Sequence, residues 1–423
     1  MAKLIAVLFL TFFTTPLLAS YMIIYMEPTQ NNHLKAYGLT YWVLEQDVEA
    51  YWLLNYRGGS FAFIHTQAFE REAILRDVSY EIVTTAQFNR IRQDIANPAV
   101  NKEVIKLEVA PRIAVYTPDY NPWGEGIQPW GDAVTQVLDY AEIPYDKLYD
   151  REVLDGRLAE YDWLHLHHED FTGQFGKFHR AFHAHSWYRN HVSSLENLAS
   201  ELGFDKVSDL KSAVVEEIRN YVGAGGFMFA MCSATDTYDI ALAARDVDIV
   251  PEVFDGDPPH PNAQELLNFS RTFAFRDFIL EMDPMVYAYS SIDPKTRQVA
   301  PENDYFTLFD FSAKWDPVPT MLTQNHTRTV KGFMGQTTSF DRDLIKPTVV
   351  IMGENRGLNE ARYIHGNFGE GFWSFYGGHD PEDYTHRVGD PEVDLNLHPN
   401  SPGYRLILNN ILFPAARKQE RKT

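Results

Sequence analysis

Cysteine is almost missing from this chain: Cys232 is the only one in 423 residues. An internal disulfide is therefore excluded, and the fold rests on its core alone. Basic charge is also scarce, with 37 Lys and Arg against 58 Asp and Glu and a formal net charge of -21. That balance excludes broad binding to nucleic acid or to anionic lipid. The one basic run, Arg417-Lys418-Gln419-Glu420-Arg421-Lys422, reads as a solvated tail. Low-complexity tracts and internal repeats are missing, and beyond the first two dozen residues no apolar run is long enough to span a bilayer. A phosphate-cradling loop is missing too, because Gly223-Ala224-Gly225-Gly226 precedes a strand and reads as a helix-ending turn.

What is present is the composition of a folded protein, 45% hydrophobic and 14% aromatic, in a chain long enough for two or three domains. Lys3, the apolar stretch Leu4 to Phe13, Pro16 and Leu17-Leu18-Ala19-Ser20 read as a secretory signal peptide over residues 1–20. The cut is expected after Ala19 or Ser20. An uncleaved membrane anchor is the alternative, since Tyr21-Met22-Ile23-Ile24 continues apolar. The expectation is an exported, periplasmic protein without a membrane span once the signal is removed.

Residues 21–108 read as a small α+β unit, with strand-like runs at Tyr21–Met26, Gly38–Leu44 and Val48–Tyr56 and helical spacing from Thr85 to Ile95. From 109 to 249 the pattern alternates strand and helix. Ile113–Tyr116, Tyr145–Tyr149, Tyr161–His167 and Gly226–Met231 are the strands; Asp132–Ala141 and Leu210–Val222 are the helices between them. Residues 250–345 break the rhythm with several prolines and read as an insertion forming extra strands or a lid. The parallel pattern is expected to resume over 346–416, at Pro347–Met352 and Gly371–Tyr376, with a last helix from Gly403, before the tail 417–423. Such a sequence predicts an α/β fold with a doubly wound, mainly parallel sheet, whose ligands gather at the strand C-termini. His167, His168, Glu169 and Cys232 fall at those ends.

Cys232 ends an apolar strand, with Ala230 and Ala234 two positions either side. Small residues there suit a tight strand-to-helix elbow, in which the helix N-terminus lowers the thiol pKa and the Ser233 N–H faces an oxyanion. The competing reading is a buried packing cysteine. Gly377-Gly378-His379-Asp380-Pro381-Glu382 follows another strand and supplies a base, His379, with Glu382 or Asp380 to orient it. The stretch His165-Leu166-His167-His168-Glu169 puts His165 and His167 on one strand face, a geometry for a divalent metal held by His165, His167 and Glu169. A polar pocket wall of His167, His168 and Glu169 is the alternative. His179 and His183, at i and i+4, form a second candidate pair.

The strand–Cys–helix at Cys232, the opening strand Ile113–Tyr116, and above all the ending Gly369–Glu382 with the helix Tyr404–Leu412 resemble the class I glutamine amidotransferase-like superfamily, in its ThuA-like (trehalose-utilisation) branch. The resemblance covers residues 112–245 and 347–416. It implies a flavodoxin-like sandwich with a catalytic Cys-His-Glu set, carried over as Cys232, His379 and Glu382. The chain departs from that family where alanines replace both elbow glycines. The whole chain also resembles exported bacterial proteins labelled asparagine synthetase B. That enzyme's chemistry needs a cysteine at the mature N-terminus and a Ser-Gly-Gly-x-Asp-Ser loop, and this sequence has neither. The expected function is an exported hydrolase or amidohydrolase with no required cofactor, acting on a small molecule, glycan or peptide. Its alternatives are a non-catalytic binding protein and a metal-dependent hydrolase.

Overall fold

The structure is a computed structural model that describes residues 20–118, 131–294, 301–385 and 387–416. It is an α/β protein with two mixed-composition layers of sheet. The first sheet is antiparallel and contains β1 (Ser20–Ile24), β2 (Ala50–Leu54), β3 (Ser60–Ile64), β4 (Glu81–Thr84) and β5 (Glu103–Leu107), in the order β4-β1-β3-β2-β5. Helix α1 (His33–Glu45) and α2 (Gln67–Leu75) lie on one side, α3 (Thr85–Ala96) on the other. Strand alternation explains the split: Ile23, Leu53, Ala62 and Val83 meet Phe88 and Ile95 of α3, while Met22, Ile24, Trp52 and Phe61 join the main core.

The run Gly38–Leu44, expected as a strand, is helical. Asn32 caps α1 by accepting the Lys35 N–H at 2.9 Å. The helix is buried from His33 through Leu44 on nearly every side, so its sequence carries no polar face and no 3.6-residue period. It packs so closely on α4 (Ala133–Ala141) that a Cβ added to Gly38 would sit 1.8 Å from the Ala141 carbonyl oxygen.

The second sheet has β6 (Ile113–Tyr116), β7 (Asp146–Leu148), β8 (Trp163–Leu166), β9 (Phe227–Met231), β10 (Tyr305–Leu308), β11 (Thr329–Lys331), β12 (Phe340–Asp341), β13 (Val350–Asn355), β14 (Glu360–Phe368) and β15 (Gly371–Tyr376). Its order is β11-β10-β13-β14-β15-β9-β8-β6-β7, with β12 on β14. The run from β15 through β9, β8 and β6 to β7 is parallel, and everything beyond β15 is antiparallel. The expected parallel strand at Pro347–Met352 is thus corrected: β13 pairs antiparallel with β14. Only a short turn joins the two, too little chain for a parallel crossover. The segment 250–345 supplies β10, β11 and β12 to this same sheet.

Alternating side chains of the parallel run face two cores. Val115, Trp163 and Phe229 pack with α4 and α8 (Pro402–Leu412); Ala114, Leu164 and Ala230 pack beneath α6 (Val207–Gly223) and α7 (Ala234–Ala243), with α5 (Ser186–Glu201) outside them. Helices therefore cover both faces, and the C-terminal ends of β6, β8, β9 and β15 come together along one edge. No helix among the described residues is long and apolar enough to cross a membrane.

Candidate metal centre at the strand ends

His165 and His167 leave β8 on the same face, and both rings turn toward Asp132, the N-cap of α4. One carboxylate oxygen, Oδ1, accepts the N–H groups of Val134 and Thr135 at 2.8 and 2.9 Å. That same oxygen lies 3.1 Å from His167 Nδ1 and 3.6 Å from His165 Nε2. Burial opposes ionisation of Asp132, yet the two imidazoles hold its carboxyl well below the usual range. An anionic oxygen this close to His167 favours a proton on Nδ1. His167 is 2% exposed, and neither of its ring nitrogens completes a hydrogen bond among the described residues.

His379 arrives from the loop after β15 with its tautomer fixed as well. Its Nε2 is 2.8 Å from the Gly131 carbonyl oxygen. A carbonyl only accepts, so Nε2 carries a proton, and in the neutral form of the ring the lone pair is at Nδ1. His167, His168 and His379 each offer a ring nitrogen, all within 4.8 Å of one another. The ring centroid of His167 is 4.4 Å from that of His379 and 4.9 Å from that of His168. Asp132, His165 and His167 form an overlapping group within the same limit.

A strap from the segment 250–345 fixes the His379 turn from above. The His379 N–H donates to the Met334 carbonyl at 2.8 Å, and the Gly378 N–H to that of Thr337 at 2.9 Å. Gly335 lies against this turn, where an added Cβ would be 2.8 Å from the His379 nitrogen. The same strap covers Cys232. The Gln336 N–H points at Sγ over 3.3 Å, and the Cys232 N–H donates to the Gly378 carbonyl at 3.0 Å.

Cys232 has a left-handed backbone, φ 52°, and is 1% exposed. Burial pushes its thiol up to about 11, against the opposing N–H groups of Gln336, Ser233 and Thr337. Desolvation outweighs the helix terminus that sequence reasoning expected to lower it. Ala230 and Ala234 are fully buried, which is what the elbow's small neighbours require. Ser233 is buried, its hydroxyl 3.5 Å from the Glu169 carbonyl oxygen.

The remaining expected site residues are placed apart from the imidazoles. Glu382 accepts the Tyr384 hydroxyl at 2.6 Å and lies 3.4 Å from His398 Nδ1, while the contact at His379 Nε2 is made by Gly131. Asp380 accepts the Glu382 N–H at 2.9 Å, closing a turn. The Glu169 carboxylate faces Lys211 at 3.8 Å, on the α6 side, where Lys211 also binds Asp150 at 3.0 Å. His165 and His167 are therefore joined by Asp132 in the position where Glu169 was expected. His179 and His183 stack at 5.1 Å, away from this group, on a partly exposed surface. Asp132 and the 334–338 strap were missed from sequence. The signal for Asp132 was its place just before an amphipathic helix at the C-terminal side of the first parallel strand.

No family model matches the chain, and no curated protein does. Among solved structures, a cytoplasmic protein of Salmonella typhimurium aligns over 73% of this chain and all of its own, at 12% identity and a TM-score of 0.36. A second cytoplasmic protein of Salmonella typhimurium LT2 aligns over 72% of this chain and all of its own, at 11% identity and the same TM-score, 0.36. Gan42B, a GH42 β-galactosidase, is similar over 64% of this chain and 28% of its own, at 11% identity and a TM-score of 0.29.

Proposed function

We propose that this protein is a divalent-metal-dependent hydrolase, with the metal held by His167, His168 and His379 at the C-terminal edge of a doubly wound, flavodoxin-like sheet of the class I amidotransferase-like kind. The observation that carries the reading is the pair of outer contacts, Asp132 on His167 and the Gly131 carbonyl on His379. The Gly131 carbonyl puts a proton on Nε2 of His379 and leaves Nδ1 as the ligating nitrogen, and the Asp132 charge draws a proton to Nδ1 of His167, as the partners of metal-binding histidines do. Three imidazoles suit zinc and neighbouring first-row ions, and leave a further position open for water or substrate. A metal in such a site supplies a hydroxide near neutral pH and polarises the oxygen of a scissile bond. The chain's own part is to hold three imidazoles together and to exclude bulk water with the 334–338 strap.

The substrate falls in the class of small molecules, glycans or peptides, without nucleic acid. Export by way of the leader belongs to the same proposal. A cut after Ala19 leaves β1 whole, whereas a cut after Ser20 removes the Ser20–Thr84 pair from the first sheet. A second reading, Cys232 as nucleophile with His379 as base, is favoured by its left-handed elbow and by the N–H groups converging on Sγ. The buried, strongly protonated thiol speaks against it.

Metal analysis of the purified full chain separates these readings. After dialysis and reloading with Zn²⁺ or Co²⁺, about one ion per chain is expected. Cobalt should give visible absorption that disappears in His167→Ala and persists in Cys232→Ala. A wild-type chain that binds neither ion at micromolar concentration refutes the proposal, and hydrolysis abolished by Cys232→Ala with metal retained favours the thiol.

A further inference from the structure

The opposite edge of the second sheet, where the parallel strands begin, holds a cleft of about 610 Å³. Its floor is Phe227 and Phe372 at the starts of β9 and β15, with Tyr221 at the end of α6. Val318 and Met321 of the short helix Pro317–Leu322 form one wall, and Phe413 after α8 closes the far side. These side chains come from separate parts of the chain. A β9 of five residues spans about 16 Å, so the cleft lies a full strand length from the imidazoles.

The charge of the lining is one-sided. Asp162 and Glu217 border the cleft, and among the described residues no Lys, Arg or His lines it. Asp162 uses one oxygen, Oδ2, for the Arg112 N–H at 2.8 Å, and Glu217 stands exposed on the outer face of α6. A carboxylate or phosphate ligand would have to give up its water here with no cation in the described lining to receive it, at a cost of several kcal/mol. The Tyr161 ring is already taken by the Arg112 guanidinium, 5.0 Å from its centroid, so a cationic head meets the two carboxylates and the Tyr221 ring, which attracts cations. The volume is that of a small-molecule site, and the apolar floor suits an aliphatic or aromatic body.

We propose that this cleft binds a small amphiphile with an apolar body and a cationic head. The site is independent of the metal centre and stands whether or not that centre hydrolyses anything. Because the ligand would touch β5 through Ile105, the α6–β9 turn and the helix Pro317–Leu322, its binding also stabilises the fold against unfolding.

The test is calorimetric titration of the full chain with decyltrimethylammonium and, separately, decyl sulfate, both below micellar concentration. Saturable binding of the cation alone is expected, weakened about tenfold or more by Val318→Trp, which fills the cleft, and by Glu217→Lys, which reverses one border charge. Glu265→Lys, at an exposed position away from the cleft, makes the same change in net charge and should leave binding unaltered. Circular dichroism and melting confirm that each variant is folded. No saturable binding, equal binding of both detergents, or equal weakening by Glu265→Lys would overturn the proposal. So would binding that appears only after residues 417–423 are removed.

Discussion

Gly335→Ala tests the metal centre from a residue that touches no metal. The backbone at Gly335 is outside the left-handed region, so alanine is permitted there and any effect is steric. The added Cβ would lie 2.8 Å from the His379 nitrogen and 2.9 Å from both the carbonyl carbon and the Cα of Gly378. All three are main-chain atoms, and none can rotate away. Restoring ordinary contact distances of about 3.5 Å moves the His379 turn by about 0.6 to 0.7 Å, beyond the roughly half an ångström within which site residues must be held. The strap bond from His379 N–H to Met334 is strained by the same shift. Changes of this kind around metal ligands cost about 10- to 100-fold in affinity, or about 1.4 to 2.8 kcal/mol. Competition of the full chain against a chromophoric chelator for Zn²⁺ reads that loss directly. Gly357→Ala is the control, since its Cβ meets only the Asn355 side chain at 3.5 Å. Zinc affinity unchanged in a folded Gly335→Ala protein refutes the idea that the strap sets the third imidazole. A wild-type chain that binds no zinc refutes the metal centre itself.

Two further outcomes concern stability. Gly38→Ala drives a methyl group into the Ala141 carbonyl, so α1 and α4 must separate; a loss of about 3 kcal/mol or more is expected in urea melts, at the upper end for overpacking. An unchanged urea midpoint would show that the two helices yield freely. His33 is held down to about 4 by burial and by the Arg405 charge, and its ring stacks on His326 at 4.3 Å. The unfolded chain takes up this proton below about pH 6.5, and the folded chain only near pH 4. Stability from His33 is therefore complete above pH 6.5 and is lost as pH falls through that window, by about 3 kcal/mol in all. His33→Gln should flatten the acid limb of the stability profile between pH 6.5 and 4; an identical slope in the variant would assign the acid loss to other groups.

How far the sequence announced this molecule depends on which physical signal each part carries. The parallel strands were legible because short apolar runs alternate with amphipathic helices such as α4, whose buried Val134, Val137, Leu138 and Ala141 keep a helical spacing. Helix α1 was not, because burial on all sides erases that spacing. The direction of β13 was not, because an apolar run has no polarity of its own; the short β13–β14 connection decides it. At the site, period-two alternation placed His165 and His167 on one face. It said nothing of what that face meets. Only the order β15-β9-β8-β6 brings His379, His167 and the N-cap Asp132 to one place. Strand order is a property of long-range pairing, which local spacing does not encode.

Cys232 shows why an elbow pattern and a nucleophile are separable. The left-handed turn at this residue costs a non-glycine side chain on the order of 1 to 3 kcal/mol. Glycine would remove that strain, so the side chain must be repaying it. Its sulfur accepts the Gln336 N–H in a place closed to water, and its own N–H holds the Gly378 carbonyl beside His379. Without an acceptor at Sγ, a buried amide would be left unsatisfied at a cost of about 1 to 3 kcal/mol. The strain is thus offset by joining β9, the strap and the His379 turn at one residue. The same geometry that suggests catalysis in the sequence is, in the folded chain, the joint on which the imidazole cluster rests.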